Sequence, residues 1–60
     1  MTLAERIIEY RTREELSLAS LAAKAGLDRV TVYRAESGRH VSRKSEEKIE
    51  RVLNGEGRTE

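Results

Sequence analysis

The sequence predicts an all-α fold built from four short helices. Apolar residues recur at spacings of three and four along the chain, and no segment alternates apolar and polar residues as a strand does. A Ser, Thr or Asp precedes each periodic segment where it can cap a helix N-terminus, and no proline interrupts the pattern. These observations favour one compact four-helix domain.

The first helix is predicted over residues 3–14. Thr2, with Glu5 three residues later, has the spacing of a capping box, in which each side chain bonds the other residue's backbone N–H. Ile8 lies well off the apolar stripe of this helix. We therefore expect its side chain to be exposed.

The second and third helices are predicted over residues 18–25 and 29–36, joined by a tight turn. Ser17 and Asp28 are the expected N-caps. Gly26 stands where the chain must reverse, and glycine adopts the left-handed backbone conformation at little cost. The pair of helices therefore has the outline of a helix-turn-helix.

The fourth helix is predicted over residues 43–54, with Ser42 as its N-cap. The domain is expected to span residues 1–55, and the polar, unpatterned residues 56–60 are expected to form a flexible tail. The apolar positions predict a core of Leu3, Ile7, Tyr10, Leu16, Leu21, Ala22, Ala25, Leu27, Val32, Ala35, Val41, Ile49, Val52 and Leu53.

The composition limits the possible functions. The 60 residues include no cysteine, which excludes disulfides and thiolate metal sites, and no apolar run of membrane-spanning length. We therefore expect a cytoplasmic protein with no membrane partner, no cofactor and no small-molecule ligand. The single histidine, His40, is expected to bind no metal and to take part in no catalysis, so an enzyme is not expected.

The charges are unevenly distributed, although the formal net charge is only +1. Residues 16–45 contain six basic and two acidic side chains, for a net charge of +4, whereas both ends of the chain are acidic. A local basic patch is a better indicator of phosphate binding than the overall isoelectric point. The distribution therefore indicates a nucleic-acid partner.

The third helix divides into two unlike sides when it is projected at 100° per residue. Val32 and Ala35 give one side a small apolar surface. Val30, Tyr33 and Arg34 fall on the other side. This division is typical of a helix that is held by its own domain and offered to a groove of a duplex.

The stretch LSLASLAAKAGLDRVTVYRAESG, residues 16–38, resembles the helix-turn-helix of the lambdoid phage repressor/Cro family. The matching features are Leu16-Ser17, Leu21-Ala22, Gly26, Val32 and Glu36-Ser37-Gly38. The next stretch, HVSRKSEEKIERVL (residues 40–53), is similar to the third helix of the lactose-repressor headpiece. The resemblance implies a repressor-like, four-helix DNA-binding domain, although repressor/Cro domains usually have five helices.

The resemblance also implies roles for individual residues. Base edges would be contacted by Arg29, Val30 and Arg34, and an ion pair would join Arg11 to Glu36. Arginine can hold guanine with two hydrogen bonds, and valine can contact a thymine methyl group. The candidate phosphate contacts, in these helices and in the loop after the third, are Ser17, Thr31, Tyr33, Arg39, His40, Ser42, Arg43 and Lys44.

Two residues depart from the family pattern. Leu18 stands where the repressor/Cro family prefers a glutamine that contacts a phosphate and braces a base-reading side chain. Glu15 replaces the usual glycine after the first helix. We therefore expect the position of the Arg29 side chain to differ from that in the family. The connection after the first helix is expected either to have a different shape or to follow a longer helix.

The function expected from these features is that of a sequence-specific, double-stranded-DNA-binding transcriptional regulator. A repressor would act as a homodimer on a palindromic operator, with the helix at residues 29–36 in the major groove. The expected dimer interface consists of Ile8, Ile49, Val52 and Leu53. The alternative is a protein-interaction module, such as an antitoxin-like or docking domain, which the near-zero net charge and acidic ends would suit.

Overall fold

The computed structural model describes residues 1–55 and contains four helices, α1 (Leu3–Glu14), α2 (Leu18–Ala25), α3 (Arg29–Glu36) and α4 (Arg43–Leu53). The described part of the chain has no strand, so the predicted all-α, four-helix fold is confirmed. The helix limits agree with the sequence prediction except that α4 ends one residue earlier, at Leu53. The predicted tail, residues 56–60, lies outside the described residues.

Each helix begins with a side-chain N-cap. In all four, the oxygen of the N-cap side chain accepts a hydrogen bond from the backbone N–H three residues later, which satisfies one of the orphan donors of the first turn. The four bonds join Thr2 to Glu5 (3.2 Å), Ser17 to Ser20 (3.0 Å), Asp28 to Thr31 (3.3 Å) and Ser42 to Ser45 (3.2 Å). These caps set where each short helix starts.

The connection after α1 reverses at Glu15, which has a left-handed backbone with φ of 55°. The Glu15 N–H donates to the carbonyl oxygens of Arg11 and Thr12, which ends α1 at Glu14. Glu15 therefore adopts a conformation that glycine favours, and α1 is not extended. The left-handed region costs a residue with a Cβ about 1–2 kcal/mol. Gly26 reverses the chain after α2 with φ of 72°, as predicted, and without that cost.

The core takes one fully buried side chain from each helix, and these four are Ile7, Leu21, Val32 and Ile49. Smaller or nearly buried side chains complete it, namely Ala22, Ala25, Ala35 and Val52. The partly buried apolar residues packed against it are Leu3, Tyr10, Leu18, Leu27, Val41 and Leu53. Three of these core residues, on α2 and α3, are alanines, and these two helices pack against each other.

The structure differs from the sequence prediction at Leu16 and Leu18. Leu16 was expected in the core, but Leu18 is the one of the two that packs against it. Leu16 is only partly buried, and its carbonyl oxygen accepts a hydrogen bond from Arg11 Nε at 3.2 Å. Leu18 packs against the core, although it was predicted only as a departure from the family pattern. The position that carries a phosphate-binding glutamine in the family is therefore apolar packing here.

Two arginines of α1 form ion pairs with residues of α3 and α4. Arg11 Nη1 donates to Glu36 Oε1 at the end of α3, which is the ion pair expected from the resemblance. Arg6 Nη1 donates to Glu50 Oε1 of α4 at 2.6 Å, and its other terminal nitrogen donates to Asn54 Oδ1 at 3.1 Å. Packing and ion pairs thus both fix α3 and α4 on α1.

The burial of α4 corrects part of the expected dimer interface. Ile49 is fully buried and Val52 is 9% exposed, because both side chains fill the core of their own domain. Neither therefore offers a surface to a second copy. Leu53 is partly buried against the same core, whereas Ile8 is 49% exposed, as its place off the apolar stripe predicted.

Within residues 1–55, every helix is too short or too polar to cross a membrane.

Candidate nucleic-acid interface

Helix α3 has a buried side and an exposed side. Val32 and Ala35 are buried in the core, and α3 packs against α1, α2 and α4. On the opposite side Val30 is 51% exposed and Tyr33 is 52% exposed, and Arg34 is exposed beside them. The chain therefore presents two large apolar or aromatic side chains and a guanidinium group to the outside of the domain, as the helical projection predicted.

The arginines on this side of α3 have no acidic partner. Among residues 1–55, neither Arg29 nor Arg34 takes part in an ion pair, whereas Arg6 and Arg11 on α1 are both paired. A guanidinium group without an internal partner keeps its five donors for an external acceptor. Both side chains can therefore reach guanine or phosphate oxygens without breaking a bond within the domain.

Two hydrogen bonds join Asp28, the N-cap of α3, to Thr31 in the first turn of the helix. The hydroxyl group of Thr31 donates to Asp28 Oδ1, which also accepts the Thr31 backbone N–H. These two hydrogen bonds, the side-chain one foremost, hold the pKa of Asp28 below its ordinary value of 3.8, and the positive charge of Arg34 acts in the same direction. The only hydroxyl proton of Thr31 is thus engaged, so a phosphate contact from it would require this bond to break.

The N-terminus of α2 carries a pair of serine hydroxyl groups. Ser17 Oγ accepts the backbone N–H of Ser20, and the two hydroxyl oxygens lie 3.0 Å apart. Both residues are exposed. The partial positive charge of a helix N-terminus favours an anion at this position.

The N-terminus of α4 repeats this arrangement. Ser42 Oγ accepts the backbone N–H of Ser45, and the two hydroxyl oxygens again lie 3.0 Å apart. Ser20 and Ser45 were not among the predicted site residues. The signal that would have found them is the Ser-x-x-Ser spacing, which joins the N-cap to the first turn of both helices.

A shallow depression joins α3 to the N-terminus of α4. Its lining residues are Thr31, Arg34, His40, Val41, Ser42 and Ser45. The structure thereby brings a predicted base-reading side chain, Arg34, next to two predicted phosphate-contacting side chains, His40 and Ser42. These three residues come from a helix, the loop that follows it and the next N-cap, and the turn of the chain between α3 and α4 places them on one surface.

The three remaining cations among the predicted phosphate contacts, in the loop and at the start of α4, are exposed. Arg39 and Lys44 form no ion pair with any residue of the described part of the chain. Arg43 Nε lies 3.4 Å from Glu47 Oε2, one turn along α4, and both side chains are well exposed. Because such surface pairs contribute little, Arg43 can exchange Glu47 for a phosphate at small cost.

The arrangement defines a helix-turn-helix domain, since α2 holds α3 against the core while the far side of α3 stays open. A family model described as Helix-turn-helix matches residues 7–58 of the chain, which is most of its length. The chain belongs to the helix-turn-helix family of the repressor/Cro type, a class of DNA-binding regulators of transcription. No curated protein and no solved structure matched the chain. The likeness of residues 40–53 to the lactose-repressor headpiece stays a prediction.

Proposed function

We propose that this protein is a transcriptional repressor that binds a palindromic operator as a homodimer, with α3 in the major groove. The observation that carries the proposal is the exposed side of α3, where two unpaired arginines flank Val30 and Tyr33. A helix of this width fits the major groove of B-form DNA, where each base pair presents a distinct pattern of donors, acceptors and methyl groups. Bound to its operator, the protein excludes polymerase and needs no catalytic group.

Base readout is assigned to Arg29, Val30 and Arg34. Arg34 lies toward the middle of the exposed side, where its fork of donors suits the O6 and N7 atoms of guanine. Arg29 begins α3 and reaches a base or a phosphate at the edge of the groove. Leu18 cannot brace Arg29 by hydrogen bonding, as the family's glutamine does, so Arg29 contributes less to specificity than Arg34.

Backbone positioning is assigned to the two capped helix ends and the loop between α3 and α4. Ser17 and Ser42 hold the N-termini of α2 and α4, and unpaired N–H groups in those first turns suit phosphate oxygens. Arg39 and Lys44 add unpaired positive charge. His40, Arg43 and Tyr33 complete the proposed set. These contacts fix the register of the protein on the duplex and carry no sequence information.

A homodimer is proposed because one helix-turn-helix makes few base contacts. Two copies related by a two-fold axis read two half-sites whose centres lie about 34–36 Å apart, which is one turn of the duplex. Ile8 is the proposed centre of the interface, since it is a large exposed apolar side chain on α1. Leu53 lies at the edge of the core and is the second member.

The test of the proposed function is a titration with mixed genomic DNA at 50 and 200 mM salt. Three phosphate-bound cations per protomer, taken as Arg39, Arg43 and Lys44, make six per homodimer and give a slope of log K against log salt of about −5.4, or a loss of about 2,000-fold over this range. Lys44→Ala, which removes one cation from each protomer, should reduce the slope by about 1.8. Arg51→Ala is the matched control, because Arg51 is an exposed cation near the far end of α4.

The same titration separates the alternative, a protein-interaction module. That alternative is favoured by one observation, the exposure of two large apolar side chains, Met1 before α1 and Ile8 on α1. A module that binds only proteins would show little affinity for DNA at 50 mM salt, and Lys44→Ala would change nothing. Such a result would contradict DNA binding as this chain's function.

A further inference from the structure

Val30 is the most outward residue of α3. Successive residues of an α-helix are separated by 100°, so Val30 points about 170° away from the direction midway between the buried Val32 and Ala35. Tyr33 and Arg34 lie on either side of it, one turn later. The centre of the side that faces the proposed groove is therefore an apolar, β-branched side chain, half of whose surface is open to solvent.

Valine offers no hydrogen bond to a base, so its contribution in a groove depends on finding an apolar surface. In the major groove, the apolar group of an unmodified base pair is the C5-methyl of thymine. Cytosine carries a hydrogen at the same ring position, and 5-methylcytosine restores the methyl. Val30 is thus suited to a pyrimidine methyl group, whichever of the two bases carries it.

Arg34 determines which base is preferred next to that methyl group. Residues four apart on a helix have Cβ atoms about 5–6 Å apart, and successive base pairs are separated by about 3.4 Å. A guanidinium group that extends beyond the valine therefore reaches the neighbouring base pair. Arg34 has no ion-pair partner within residues 1–55, so its fork is available to guanine.

We propose that α3 reads a methyl-bearing pyrimidine beside a guanine, so that thymine–guanine and 5-methylcytosine–guanine steps are both bound in preference to cytosine–guanine. The proposal rests on the proposed DNA-binding function and specifies its ligand. Val30 covers the methyl group and Arg34 holds the guanine. Thymine and 5-methylcytosine differ in the hydrogen-bonding group at C4, which valine does not read.

The consequence is that cytosine methylation would regulate this site. A cytosine–guanine step in an operator becomes a better ligand when its cytosine receives a C5-methyl group, because the methyl completes the contact with Val30. The polar neighbourhood of α3 does not supply the same discrimination. The Thr31 hydroxyl is engaged with Asp28, so it does not compete for the base at this position.

The experiment uses an operator selected from random duplexes by the full chain. That operator is then made with thymine, and with uracil in place of each thymine, which removes only methyl groups. Each buried methyl is worth about fourfold in affinity, so two half-sites give about a 16-fold loss with uracil. Cytosine–guanine duplexes with and without 5-methylcytosine at the same step should differ by a similar factor.

The variant Val30→Ala should lose most of the difference between the thymine and uracil operators, because the two γ-methyl groups that cover the base methyl have gone. Thr12→Ala is the matched control, since Thr12 is another exposed β-branched residue, on α1. This control should retain the full difference between thymine and uracil. Both positions are exposed, so both variants should fold, and circular dichroism verifies that they do.

Three outcomes decide the proposal. Equal binding of thymine and uracil operators by the unchanged protein would overturn methyl recognition while leaving DNA binding intact. A thymine preference that persists in Val30→Ala would also overturn it, because another side chain would then read the methyl. If selection enriches no sequence, or if affinity does not depend on salt, the proposed function fails and the methyl reading fails with it.

Discussion

Arg11 of α1 forms an ion pair with Glu36, the last residue of α3, across 25 positions of the sequence. The side chains are 26% and 20% exposed, so the pair is largely shielded from water. Arg11 also donates from Nε to the carbonyl oxygen of Leu16, beyond the end of α1. One guanidinium group thus fixes both the first connection and the orientation of α3.

Removal of this pair should destabilise the domain more than removal of a surface pair. In a double-mutant cycle, Arg11→Ala and Glu36→Ala should show a coupling energy of about 1–3 kcal/mol, between the values usual for exposed and buried pairs. Urea unfolding followed by circular dichroism measures it. The control is Arg43 with Glu47 on α4, an exposed pair expected to couple by less than about 0.5 kcal/mol. Equal coupling in both cycles would contradict this account of Arg11.

The left-handed conformation of Glu15 offers a stabilising substitution. Glu15→Gly should raise the free energy of unfolding by about 0.5–1 kcal/mol, since glycine relieves the backbone strain but gains freedom in the unfolded chain. For a domain of this size, 1 kcal/mol corresponds to about 4–8 °C in Tm. Thermal unfolding is the measurement.

The companion variant, Gly26→Ala, tests the same physics in reverse. A Cβ at Gly26 meets no atom within 4 Å, so any loss of stability comes from its backbone, with φ of 72°. We expect about 1–2 kcal/mol of destabilisation. A Glu15→Gly variant with a lower Tm than the parent would refute the strain at that position.

Arg34→Ala should separate specific from non-specific DNA binding. Loss of a two-bond contact to guanine weakens binding to the selected operator by about 1–3 kcal/mol per half-site and leaves affinity for mixed DNA nearly unchanged. Fluorescence anisotropy with the two kinds of duplex measures both. An equal loss on every sequence would mean that Arg34 contacts only the backbone.

The Asp28 cap should give the stability a specific pH dependence. Hydrogen bonds from Thr31 lower the pKa of Asp28 in the folded state below 3.8, so the ionised carboxylate stabilises the fold fully above that value. This stabilisation is lost as the pH falls through the lower, folded-state pKa. Asn keeps a capping oxygen but does not titrate. The difference in unfolding free energy between the parent and Asp28→Asn should therefore narrow below about pH 4.

Urea unfolding at a series of pH values, from about 6 down to 2.5, measures that difference. The reverse dependence, a widening as acid is added, would mean that the fold favours the protonated carboxyl group.

The proposed homodimer depends on Ile8. Ile8→Glu should shift the protein to monomers in sedimentation at high micromolar concentration and should reduce operator affinity through the loss of the second half-site. Because Ile8 is half exposed, the fold should survive the charge. Ala23→Glu places the same charge at an exposed apolar residue on another helix, α2; it is the control and should leave association unchanged. A parent protein that sediments as a monomer with and without operator would remove the dimer.

The sequence predicts the helices well because their signals are local. The N-caps Thr2, Ser17, Asp28 and Ser42 lie next to the segments they start, and the apolar spacing follows directly. Long-range pairs are different. Arg6 and Glu50 are 44 positions apart, and their contact depends on how α1 and α4 cross, which no short pattern encodes.

The candidate site could be predicted only in part, because it too depends on contacts that no local pattern encodes. Periodicity shows which side of α4 is apolar, but it does not show whether the same domain or a second copy covers that side. Ile49 and Val52 were therefore assigned to both, and the core holds them. The engagement of Thr31 with Asp28 was also not predicted, because a hydroxyl's partner depends on its rotamer.

Helix α3 carries its structural role and its proposed reading role on separate sides. Val32 and Ala35 anchor it, while positions 29, 30, 33 and 34 take no part in the core. The residues at those four positions can therefore be exchanged without changing the packing that holds α3 in the domain. A library that randomises them should still yield folded proteins, and new operator preferences can be selected from it without redesign of the scaffold.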